Sequence, residues 1–135
     1  MPKVFTSATQ KIGEIGEKIA VKFLVKHNFL ILGRNYTKKW GEIDIIAEKA
    51  KKLYFIEVKS VARETLNNVL RETSDYRPED NMHPWKLKRL SRTIQTYLLS
   101  EKIPDEKEWQ VDLLVVFLDI KNKKAKIKVV SDIIL

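Results

Sequence analysis

A chain of 135 residues, 44% apolar and 33% charged, is long enough to bury one hydrophobic core, and its composition is that of a single folded domain spanning residues 1–135. It has no cysteine, which excludes disulfides and thiolate zinc sites, and no apolar run near the ~20 residues needed to cross a bilayer. A formal charge of +8 points to a polyanionic partner such as DNA, and the absence of a signal-peptide layout at the N-terminus makes the cytoplasm the expected location, with no membrane partner.

Ser7 and Gln10 have capping-box spacing and open a first helix that runs to about Lys26. Ile12, Ile15, Ile19, Ala20, Phe23 and Leu24 recur at helical period and form its apolar face. Gly13 and Gly16 lie on or beside that face, where glycine implies close approach of another backbone. Glu17 sits at the edge of the face. Asn28 ends the helix, and Phe29 to Tyr36 reads as a strand. Thr37 to Gly41 is a short basic turn carrying Trp40.

Residues 41–59 read as a β-hairpin, with strands at Gly41–Glu48 and Leu53–Val61. Strand side chains alternate faces, so Asp44 is expected to share a face with Glu42, Ile46 and Glu48, and Glu57 with Lys59, Leu53 and Phe55. Pairing Glu48 with Leu53 across a four-residue loop sets Asp44 opposite Glu57. Facing carboxylates repel, and apolar neighbours worsen the repulsion, so a cation is expected between them. A divalent metal ion and Lys59 would both serve.

Residues 62–83 are polar, aperiodic and locally acidic, the profile of a long functional or mobile loop, with a short helix around Thr65 to Glu72 as one option. Pro84 fits the first turn of a second helix whose apolar stripe is Leu87, Leu90, Ile94, Tyr97 and Leu98. Lys86, Lys88, Arg89 and Arg92 crowd its first turns. There they oppose the macrodipole, and they suit phosphate contacts. Ile103-Pro104-Asp105 breaks the helix. Trp109 to Ile120 is a nearly unbroken apolar run, expected as a strand buried on both faces, with Asp112 in a structural role. Ala125, Ile127 and Val129 alternate with lysines in a half-exposed last strand. The fold class is therefore α/β: helix, three-strand meander, helix, two strands, forming a mixed five-stranded sheet. The second helix crosses over between parallel third and fourth strands.

Asp44, Glu57 and the Val58 carbonyl offer oxygens to a hard divalent cation, and Glu17 could add a fourth. Lys59 could hold a water nucleophile and balance charge on a pentavalent phosphate transition state. The hairpin resembles the PD-(D/E)xK nuclease motif, and its setting resembles the restriction-endonuclease-like core. More closely, the chain resembles the YraN family of small predicted endonucleases, relatives of archaeal Holliday junction resolvases. The matching stretches are Gly13-x-x-Gly16-Glu17-x-x-Ala20, Arg34-Asn35-Tyr36, Gly41 to Ala47, Phe55-Ile56-Glu57-Val58-Lys59, and Pro84-x-Lys86-x-x-Arg89-Leu90. The resemblance implies Glu17, Asp44, Glu57 and Lys59 as catalytic residues, with Glu17, Asp44, Glu57 and Val58 holding Mg²⁺ or Mn²⁺. Lys86, Arg89, Arg34 and Lys38 are the expected nucleic-acid contacts.

The expected function is a metal-dependent endonuclease hydrolysing DNA, with branched or single-stranded DNA among its substrates. A homodimer would suit junction cutting. The alternatives are a non-catalytic nucleic-acid-binding module on the same fold and an interaction protein that docks through its acidic loop.

Overall fold

The apolar run at Trp109–Asp119 forms a strand buried along nearly its whole length, and the rest of the chain is layered around it. The computed structural model describes residues 8–63 and 83–135. Its elements are α1 (Ala8–Lys26), β1 (Leu30–Lys38), β2 (Gly41–Lys49), β3 (Lys52–Arg63), α2 (Pro84–Ser100), β4 (Trp109–Asp119) and β5 (Lys124–Val130). They form one mixed five-stranded sheet in the order β1-β2-β3-β4-β5. β3 and β4 are parallel from Leu53↔Trp109 to Arg63↔Asp119, and the other neighbours are antiparallel. This is the α/β arrangement of a restriction-endonuclease-like core, as expected. The helix considered at Thr65 to Glu72, and most of the 62–83 loop, lie outside the described residues.

The helices cover opposite faces. α2 covers Ile43, Ile46, Phe55, Val61, Val111, Val115 and Phe117 with Leu90, Ile94 and Tyr97. α1 covers Ile45, Ala47, Ile56, Leu114, Val116 and Leu118 with Ala20 and Leu24. Burying each such side chain is worth about 1.5–3 kcal/mol. Tyr97 meets Tyr36 and Phe55 edge-on, with ring centroids 5.3 and 5.6 Å apart.

The helix ends are closed by the chain itself. Asn28 takes φ 69° and the Phe29 N–H donates to the Leu24 carbonyl, a left-handed cap that stops α1 where expected. Lys102 does the same for α2, with Ile103 donating to Leu98. Between β2 and β3, Ala50 and Lys51 both have positive φ, so Lys49 pairs with Lys52 across a tight two-residue turn. The loop is shorter than expected, but the register Glu48↔Leu53 is the one read from the pattern.

Three expectations are corrected. Ile15 is exposed, because α1 packs through the narrower stripe of Gly16, Ala20 and Leu24. Ala125 and Val129 are also exposed, because α1 does not reach far enough across the sheet to cover the outer part of β5. Finally, Ile43 and Ile46 face α2 while Ile45 and Ala47 face α1. The two-residue alternation therefore slips at Asp44, and strict face-sharing along β2 does not hold.

A Cβ on Gly16 would overlap the Ser60 side chain, so α1 sits against β3 only because residue 16 lacks one. Gly16→Ala should lower stability by about 1–3 kcal/mol despite its better helix propensity, and Ser60→Gly in the same chain should restore part of it. Urea unfolding midpoints at unchanged slope measure both.

Candidate functional site

β2 and β3 pair from Lys49↔Lys52 to Ile45↔Ile56, and the ladder stops there. At the next position Asp44 Oδ2 accepts the Val58 N–H at 2.8 Å, so a side chain takes the place of a strand carbonyl. This presses the Asp44 carboxyl against that of Glu57, and the two hydrogen-bond each other. The Glu57 side chain is only 12% exposed. Burial first, and then the charge of Asp44, push Glu57 up to about 8, with Lys86 working against the shift. Burial also raises Asp44, opposed chiefly by the Val58 N–H. Glu57 is therefore the carboxyl of the pair pushed furthest toward holding a proton, and its side chain hydrogen-bonds Asp44.

The carboxyl pair lies between two recesses. Asp44 opens onto a cleft of about 590 Å³ on the α1 side, lined also by Glu17, Gly13, Val58, Lys59 and Ser60. Glu57 opens onto a smaller recess of about 120 Å³ on the α2 side, lined also by Gly41, Glu42, Lys86 and Arg89. The cation beside the pair is Lys86, with Nζ 3.7 Å from Glu57 Oε2. Lys59 is exposed in the larger cleft and makes no ion pair among the described residues. The expectation that Lys59 balances the carboxylates directly is thus corrected. It shares the cleft with Asp44, while Lys86 on α2 is the cation within reach of Glu57.

Glu17 shares the cleft with Asp44, on the side expected. Its carboxylate lies 3.8 Å from Arg34 Nη2. With its amide nitrogen facing the carboxylates, Asn35 bridges Glu17 Oε1 at 3.3 Å and Glu42 Oε1 at 3.2 Å. Val58 is engaged through its N–H. Among the described residues no three His, Cys, Asp or Glu side chains converge as a metal-holding group. Asp44 and Glu57 supply two carboxyls in contact, and Glu17 is turned toward Arg34.

The four expected nucleic-acid contacts are not one patch. Lys86 and Arg89 flank the Glu57 recess. Arg34 is paired with Glu17. Lys38 lies 5.2 Å from the Tyr36 ring centroid and lines neither recess. Sequence reasoning missed Glu42, which raises both members of the pair, and Asn35, which holds φ 53°. It also missed the packing of Arg92 over Trp40 at 4.3 Å. Their signals were present as the acidic residue two before Asp44 and an aromatic within a basic turn.

The model of the family described as "Uncharacterised protein family UPF0102" matches residues 16–116, a span that contains every residue of both recesses except those at the start of α1. The chain belongs to the UPF0102 (YraN) family. A UPF0102 protein of Caldicellulosiruptor bescii is 31% identical over 91% of this chain and 96% of its own length. One from Campylobacter jejuni is 38% identical over 80% of this chain and 85% of its own. One from Sulfurovum is 35% identical over 86% of each. In this UPF0102 chain no described helix is long and apolar enough to cross a membrane.

The raised Glu57 has a stability consequence of definite sign. Its folded-state value of about 8 exceeds the ordinary 4.5, so the folded chain holds a proton that the unfolded chain has lost between those values. In metal-free buffer the stability tied to this group is full below about pH 4.5 and falls as pH rises through 8. Glu57→Gln, whose amide can still donate to Asp44, should flatten that fall. Near pH 8 it should be more stable than wild type by at least about 1.4 kcal/mol, the worth of one pKa unit. Chemical unfolding across the window tests this, and a steeper fall in the variant would contradict it.

Proposed function

We propose that this UPF0102 chain is a divalent-metal-dependent nuclease that hydrolyses phosphodiester bonds in DNA, with Mg²⁺ or Mn²⁺ as its cation. The observation that carries the reading is the Asp44–Glu57 contact: two largely buried carboxyls face each other where the β2–β3 ladder opens. Such a pair is costly unless protonated or bridged by a cation. Hard divalent ions take oxygen ligands, so the donor chemistry fits. Asp44 and Glu57 would hold the ion, with the Val58 carbonyl as a further oxygen and Glu17 as another once released from Arg34. When bound, such an ion acidifies water and offsets charge on phosphate oxygens.

The chain's own residues supply the rest. Lys59, exposed in the cleft beside Asp44, orients the attacking water and offsets negative charge on the phosphate in the transition state. Lys86 has two states to choose from. In the metal-free chain its ammonium lies beside the carboxyl pair, and it becomes available to a phosphate once another cation takes that place. Arg89 lies beside it, its Nε donating to the Trp40 carbonyl at 3.0 Å, which fixes the guanidinium at the rim of the recess. Both then hold the DNA backbone in register with the carboxyl pair.

Two measurements test the reading. Wild type, Asp44→Ala and Lys59→Ala are compared for Mg²⁺- or Mn²⁺-dependent cleavage of linear, branched and single-stranded DNA. Each variant should lose at least about a hundredfold in rate. Independently of cleavage, Mn²⁺ should raise the melting temperature of wild type and leave that of Asp44→Ala unmoved. Equal activity in all three proteins, or a wild type neither cleaving nor stabilised by Mn²⁺, would remove the nuclease. DNA binding that persists without cleavage would leave the non-catalytic module.

A further inference from the structure

α2 presents a second, separate stripe beside the Glu57 recess. Its inward residues, Leu90, Ile94 and Tyr97, pack on the sheet, while Trp85, Arg89 and Arg92 run along a neighbouring line. Trp85 is 58% exposed, a large aromatic left in solvent at the start of the helix. The Arg89 guanidinium lies over one face of its indole, with Cζ 5.5 Å from the ring centroid. That guanidinium is not free to swing, because its Nε donates to the Trp40 carbonyl. Arg92 in turn packs over the Trp40 ring at 4.3 Å. Two indoles and two guanidiniums are thus interleaved across α2 and the β1–β2 turn. Gly41 closes the junction: a Cβ there would stand 3.1 Å from the Arg89 carbonyl.

The chemistry of this stripe is specific. Phosphates are held by cations and do not stack on an indole. A duplex turns its phosphates and sugars outward and keeps its bases stacked on one another. A flat, exposed indole backed by a fixed cation fits the face of an unpaired base, with the neighbouring cations taking the adjacent phosphates. Lys86, next in sequence to Trp85, reaches the Glu57 carboxyl, so the stripe leads directly to the carboxyl pair.

We infer that Trp85, backed by Arg89, is a stacking platform for an unpaired nucleobase, and that the DNA entering the site on the α2 side is single-stranded. The inference rests on the nuclease reading for the identity of the polymer but not for its test. Arg92, held over the Trp40 ring, and Lys88, exposed on the same helix, add charge for the backbone on either side of the base.

The test is fluorescence anisotropy in metal-free buffer, so cleavage plays no part. Fluorescein-labelled oligothymidylate, a blunt duplex and an abasic oligomer are titrated with wild type, Trp85→Ala and Trp85→Phe. Trp85→Ala should weaken oligothymidylate binding about tenfold, change duplex and abasic binding less than about twofold, and be largely rescued by Trp85→Phe. Quenching of tryptophan emission by oligothymidylate should fall in Trp85→Ala. Unchanged oligothymidylate affinity in Trp85→Ala, equal losses on all three ligands, or no wild-type preference for oligothymidylate over the abasic oligomer would overturn the inference. If the platform binds as expected but wild type cleaves nothing with Mg²⁺ or Mn²⁺, the nuclease reading fails and the stacking site stands.

Discussion

The hydrogen bond from the Val58 N–H to Asp44 is the hinge of the structure. A strand that stayed paired would have satisfied that N–H with a carbonyl and kept its side chains in strict alternation. By taking the N–H on a carboxylate, β2 leaves the ladder one residue past Ile45. The slip lets Ile43 and Ile46 both serve the core under α2 while Ile45 and Ala47 serve the core under α1. The same departure brings Asp44 against Glu57 and gives the pair one recess on each side.

Close approach by both helices turns that break into a site. Gly16 lets α1 reach β3 at Ser60, the residue after Lys59, and so carries Glu17 into the Asp44 cleft. Gly41 lets the β1–β2 turn press on α2 near Arg89 and Thr93, and so carries Lys86 to Glu57. The parallel β3–β4 pairing requires the crossover that places α2 where it is. The site is therefore a property of the fold's connections as much as of the hairpin that bears its carboxylates.

Much of this was legible in the sequence, because apolar alternation in the hairpin leaves little choice of register. Shifting the pairing by one residue would move Ile45 and Ile56 from the core under α1 to the face that α2 covers and would part Asp44 from Glu57. The opposition of Asp44 and Glu57 followed from that register, and the buried β4 from its unbroken apolar run. The ladder break was not legible, since an aspartate that replaces a carbonyl looks like any other aspartate in a strand. The turn at Ala50-Lys51 carries none of the asparagine or glycine that usually marks its conformation. Charge pairing was illegible for a different reason. Lys86 and Arg34 were counted as free cations, and only the tertiary arrangement set one on Glu57 and the other on Glu17.

The chain's other buried acids sharpen what is unusual about the pair. Asp112 is 7% exposed and accepts from the Gln110 amide at 2.7 Å and the Asp132 N–H at 3.0 Å. Asp119 is 1% exposed and accepts from both the backbone and the side-chain amide of Asn122. Each is covered by N–H donors, which is how the oxygens of a buried structural carboxylate are satisfied inside a protein. Asp44 has one such donor, and its next neighbour is another acid. A sequence otherwise consistent from helix caps to core has kept one local conflict, at the point where its sheet opens to two recesses. Conflicts of that kind are expected where function, rather than folding, chose the residues. The contrast with Asp112 and Asp119 is therefore the physical reason to look for chemistry at Asp44 and Glu57 rather than at any other acid buried in the described fold.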